Sequence, residues 1–85
     1  MPKSTFGAPY KQMLETLIGV RRSDGIAQVD LSERLGKPQS FVSKVERGVR
    51  RIDVIEFCAI VRALGADPEV VFSNIARKLP RRLTI

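Results

Sequence analysis

Residues 28–48 read QVDLSERLGKPQSFVSKVERG, and two short helical patterns lie on either side of Gly36. In the first pattern Leu31 and Leu35 recur four positions apart, and in the second Val42 and Val45 recur three apart. Those spacings collect apolar side chains on one side of a helix and leave the other side open. On the open side of the second pattern stand Gln39, Ser40, Ser43 and Lys44, a stripe of short polar groups with one ammonium. Gly36-Lys37-Pro38 lies between the patterns. Two helices joined by a turn of about three or four residues that contains glycine form a helix-turn-helix unit.

The rest of the chain is punctuated in the same way. Gly25, Gly36, Gly48 and Gly65 each follow an amphipathic segment, where glycine commonly closes a helix. The spacing predicts helices at about residues 9–23, 27–35, 38–47, 53–64 and 68–78. Start signals agree with these stops. Asp53 and Glu56 form a variant of the capping box, with Ile52 and Phe57 at the positions of a hydrophobic staple. Asp67 before Pro68 reads as an N-cap followed by proline in the first turn, and Pro38 and Pro9 are expected to open the third and first helices similarly. No alternating run predicts a strand, so the expected class is all-α. The expected layout is an N-terminal arm over 1–8, one domain over 9–78 and a basic tail over 79–85. Helical spacing assigns Leu14, Leu17, Val20, Leu31, Leu35, Val42, Val45, Val54, Phe57, Cys58, Val61, Leu64, Phe72, Ile75 and Leu79 to the core.

Lys plus Arg number 15 against 9 Asp plus Glu, for a net charge of +6. That surplus favours a polyanion, either nucleic acid or an anionic membrane surface, although a charge of about 2–8 also serves solubility alone. Position decides between them. Lys37 precedes the polar stripe and Arg47, Arg50 and Arg51 follow it, whereas membrane binding calls for basic residues along one amphipathic helix. No apolar run approaches the roughly 18 residues of a membrane span. Cys58 is the sole cysteine, which fits a reducing compartment, and a cytoplasmic protein without a membrane partner is expected. The chain has no histidine, hence no default general base and no His-centred triad. There is no Cys or His cluster for zinc and no glycine-rich phosphate loop. Neither an enzyme nor a bound cofactor or metal is expected.

The polar stripe suits the major groove of duplex DNA. Glutamine pairs bidentately with adenine, lysine approaches guanine O6 and N7, and serine fits several base edges. Gln39, Ser40, Ser43 and Lys44 are therefore the candidate base-reading residues, while Lys37, Arg47, Arg50 and Arg51 are candidates for phosphates, which fix orientation without reading sequence. Arg77, Lys78, Arg81 and Arg82 leave two readings open: a DNA-touching tail or a solvated end.

Taken together, Gln28, Leu31, Leu35, Gly36, Gln39-Ser40, Val42-Ser43, Glu46-Arg47-Gly48 and Ala63-Leu64-Gly65 resemble the helix-turn-helix regulators of the lambda repressor and Cro type (XRE-like). The resemblance covers about Leu17 to Phe72 and implies a five-helix lambda-repressor-like domain. It also implies that Gln28 opens helix 2 and contacts a phosphate while touching the recognition helix, and that Gln39 reads a base. Arg21 and Glu46 match an ion pair tying helix 1 to the recognition helix; the other reading of Arg21 is that it faces DNA. Three positions depart from the pattern. Ala27 stands where Ser or Thr usually caps helix 2, Ser32 replaces an alanine at the close helix 2–helix 3 contact, and Lys37 occupies a turn position that is usually apolar.

The expected function is a sequence-specific regulator, such as a repressor, that binds a palindromic duplex as a homodimer with two half-sites about one helical turn apart. Helix 5 and the Lys78 to Ile85 tail are the expected dimer contact, and Ile18, Ile55 and Val70 are apolar where the resembled family is usually polar. Two other classes compete. One is an antitoxin or restriction-system controller, which shares the domain and adds a small protein partner. The other is an interaction module that has lost DNA, because fold alone does not settle function.

Overall fold

In the computed structural model, which describes residues 7–84, the predicted helices form as α1 (Ala8–Ser23), α2 (Gln28–Arg34), α3 (Phe41–Glu46), α4 (Val54–Ala63) and α5 (Pro68–Lys78). No strand occurs among the described residues. Residues 1–6 of the expected arm and Ile85 of the expected tail lie outside the described residues.

Local chemistry accounts for most of the boundaries. Asp53 accepts the Glu56 backbone N–H at 2.7 Å, and Glu56 accepts the Asp53 backbone N–H at 3.0 Å, so the capping box of α4 closes in both directions. Asp67 accepts the Glu69 backbone N–H at 2.9 Å at the start of α5. Ala27 precedes α2 with no side-chain cap. Gly36 takes φ +67°, the left-handed region that a Cβ would strain, and reverses the chain between α2 and α3.

One boundary differs from the sequence expectation. Pro38 does not open α3; its carbonyl accepts the Phe41 N–H at 2.9 Å, and this closes a tight turn through Gln39 and Ser40 before the helix begins. Helix α3 is therefore six residues long rather than the expected ten.

The core has two parts, joined by half-buried Val20 and Ile52. Leu17, Phe57, Val61, Val71 and Ile75 bind α1, α4 and α5 together, and Leu31, Val42, Ile60 and Leu64 bind α2 and α3 to α4. Two expected core residues are instead exposed. Val54 is the first residue of α4 and is 73% exposed. Phe72 is 59% exposed because α5 buries Val71 beside Ile75 in its place, while Ile75 is buried as expected. Phe72 sits at its margin, edge-on to Phe57 at 6.3 Å between ring centroids. Val20, Leu35, Cys58 and Leu79 are half-buried rather than buried, while Ile60 and Val71 join the core unforeseen.

Candidate nucleic-acid interface

Alpha-helix 3 is anchored from beneath by Val42 and Val45, at 2% and 3% exposure. Its outer side carries exposed Lys44 and half-buried Ser43. Gln39 and Ser40 are exposed in the turn just ahead of the helix, not on the helix itself. The four candidate base readers thus run from the turn before α3, at Gln39 and Ser40, along its outer side to Ser43 and to Lys44 in its last turn.

A polar network fixes this helix to the rest of the fold. Arg21 donates through Nε to Glu46 Oε2 at 2.6 Å and through Nη2 to Oε1 at 2.9 Å. Its remaining Nη1 donates to the Ile26 carbonyl at 2.7 Å, and Gln28 Nε2 donates to Glu46 Oε1 at 2.8 Å. Arg21 is 7% exposed, so its guanidinium is committed to the interior and does not form part of the outer surface. A buried charge without its partner is strongly unfavourable. Glu46, at the end of α3, is therefore held to α1 and to the start of α2 at once.

Cations surround the cluster in two distinct settings. Lys37 and Arg47 are exposed; Arg47 Nε donates to the Ser43 carbonyl at 3.3 Å. Lys37 Nζ lies 5.6 Å, and Arg50 Cζ 5.1 Å, from the centre of the Phe41 ring, within cation–π range. Arg50 is tied down further. It forms a bidentate pair with Glu56 at 2.9 and 2.7 Å and donates to the Arg51 carbonyl at 2.7 Å. The Arg50 hydrogen bond, followed by the Asp53 backbone N–H, holds the Glu56 carboxyl below its usual range, and the same pair raises Arg50. Arg51 stacks 4.7 Å over the Tyr10 ring, whose hydroxyl accepts the Ile52 N–H at 3.1 Å. In the tail, Lys78, Arg81 and Arg82 are exposed, and Arg77 donates to Ser73 Oγ at 3.2 Å.

Sequence reasoning did not identify Phe41, Glu56 or the Ser32 hydroxyl as parts of this region. Phe41 and Glu56 carried a usable signal, since an aromatic and an acid sit among basic residues at close spacing. Among the described residues, no group of three acidic, cysteine or histidine side chains could hold a metal, and no helix is long and apolar enough to cross a membrane.

This geometry can be set beside known proteins. A helix-turn-helix family model matches residues 17–71. The XRE-family-like protein from Pseudomonas syringae pv. tomato is similar at 45% identity, over 86% of this chain and 89% of that one, with a TM-score of 0.81. The clp gene regulator ClgR of C. glutamicum shares the fold at 19% identity, over 91% of this chain and 100% of that one, with a TM-score of 0.73. No curated protein matches. With more than half of its length matched and the ion-paired recognition helix in place, the chain belongs to the XRE-type helix-turn-helix family of DNA-binding transcription regulators.

Proposed function

We propose that this protein is a transcription regulator that reads a palindromic duplex as a homodimer, laying α3 in the major groove of each half-site. The observation that carries the reading is the two-sidedness of α3 and the turn before it: Val42 and Val45 are buried while Gln39 and Ser40 in the turn and Lys44 on the helix are exposed. Gln39, Ser40, Ser43 and Lys44 contact base edges in this reading. Lys37, Arg47, Arg50 and Arg51 meet phosphates, as does Gln28 from its place beside Glu46. Such a protein works in the cytoplasm, where its DNA is, and needs neither cofactor nor catalytic group.

The second copy is assigned to α5 and the tail. A groove of about 480 Å³ there is walled by Tyr10, Met13, Phe72, Leu79 and Leu83, with Phe72 and Leu83 exposed. The same surface favours a second reading, in which a small protein partner takes the place of the second copy.

Selection of bound sequences from random duplex DNA tests the proposal. A palindrome is expected, and Lys37→Ala should weaken all sequences alike and flatten the salt dependence of binding. Sedimentation at micromolar concentration should show a dimer. A strict monomer with and without the selected DNA overturns the dimer, and an absence of any salt-dependent DNA binding overturns the whole reading.

A further inference from the structure

Alpha-helix 3 is too short to hold itself together: six residues fall well under the length at which isolated helices persist. It also lacks its own cap. Ser40, at the N-cap position, has helical backbone angles (φ −85°, ψ −2°) and makes no side-chain cap hydrogen bond, and the first turn contains no acidic residue. The Phe41 N–H is taken by the Pro38 carbonyl, whereas the buried Val42 N–H in the first turn needs an acceptor from outside the helix.

Ser32 supplies the missing partner from another helix. It lies in α2 at 0% exposure, and its Oγ accepts the buried Val42 N–H at 3.1 Å. The same hydroxyl donates to the Gln39 carbonyl at 3.4 Å. One small group therefore spans the four residues from Gln39 to Val42 and engages the backbone at both ends. A hydroxyl carries one donor and two acceptor sites, and an alanine at this position would fill similar space without either bond. The Gln39 side chain is exposed, so its direction depends on the backbone that carries it. That backbone turns through the bond from the Phe41 N–H to the Pro38 carbonyl at 2.9 Å, and Ser32 adds a longer contact to the Gln39 carbonyl while holding the Val42 N–H just beyond the turn.

We infer that Ser32 is a positioning residue for recognition: its hydroxyl caps α3 across the helix-turn-helix and sets the aim of Gln39. The inference rests on the reading of Gln39 as a base contact. It gives this chain a specificity determinant that is wholly buried and touches no DNA.

The test compares Ser32→Ala, Gln39→Ala and the double variant in the full chain, using the selected duplex and single-base variants of it. Ser32→Ala should keep the helical circular dichroism while the Val42 amide exchanges about tenfold faster, since a buried donor has lost its acceptor. Discrimination at the base pair relaxed by Gln39→Ala should fall about five- to tenfold, and affinity for unrelated duplex should hold within about twofold. The double variant should be no less discriminating than Gln39→Ala alone, because both changes act through one contact. A purely structural role gives the opposite pattern, with all sequences weakened equally and discrimination kept, and overturns the inference. Unchanged exchange at Val42 overturns it too. If Gln39→Ala relaxes no position, the base-reading assignment fails and the inference fails with it; if only Ser32→Ala is silent, the inference fails alone. Should the alanine variant not fold, Ser32→Cys makes the same comparison with a weaker acceptor in nearly the same volume.

Discussion

The half of the molecule made by α1, α4 and α5 and the half made by α2 and α3 are held in place by different forces. In the first, Leu17, Phe57, Val61, Val71 and Ile75 close on one another, and apolar burial does the work. In the second, the two helices are seven and six residues long and neither has a cap of its own. Leu31, Val42 and Val45 seat them, but their fine position is set by directional bonds: Arg21 and Gln28 on Glu46, and Ser32 on Gln39 and Val42. Apolar contacts tolerate sliding by a fraction of an ångström, whereas hydrogen bonds weaken steeply with angle and distance. A scaffold can accept the first kind of hold. A surface proposed to meet base edges needs the second.

The comparison breaks most sharply at Arg21. Arg21→Ala leaves Glu46 buried without its cation and is expected to cost about 3–5 kcal/mol in a urea melt, with DNA binding lost as well. Arg21→Met combined with Glu46→Leu should recover most of that stability, because an apolar pair of similar bulk can replace a buried ion pair. Affinity for the selected duplex should not return, since the directional hold on α3 is gone. A double variant that recovers both makes the two halves equivalent.

Next comes the apolar half. Leu17→Ala should cost about 2–5 kcal/mol by cavity formation, yet the protein that remains folded at low temperature should bind its duplex with unchanged base preference. Titration at about 10 °C against single-base variants checks this. Gln39→Ala is smaller: about 1–3 kcal/mol of discrimination at one position per half-site, with the melting temperature unmoved.

The smallest effect is acid sensitivity at the seam between the halves. Glu56 is held below its usual range by Arg50, so its contribution is present above the ordinary carboxylate range and is lost as pH falls through its depressed value. Melting temperature should accordingly drop more steeply on acidification for the parent protein than for Glu56→Gln. Equal slopes place the linkage elsewhere.

Much of this was legible in the chain because the signals were local. Caps at Asp53 and Asp67 lie within three residues of the groups they satisfy, and they closed as read. The faces of α4 and α5 were harder. Val71, Ile75 and Leu79 and the alternative Phe72, Ile75 and Leu79 both obey helical spacing, and the sequence contains nothing that chooses between Val71 and Phe72 as the first member. The start of α3 differs from the expectation because proline opens helices and tight turns alike, and here the Pro38 carbonyl accepts the Phe41 N–H.

The order of the helices, their all-α class, the polar stripe around Gln39 and its basic frame follow from residue types at short spacings, since helix formation and capping are settled within a turn or two. The aim of α3 belongs to tertiary structure. It depends on groups 25, 18 and 10 positions apart in the chain, at Arg21 with Glu46, Gln28 with Glu46 and Ser32 with Val42. A directional bond exists only when its two ends have been brought into line, and only packing can do that.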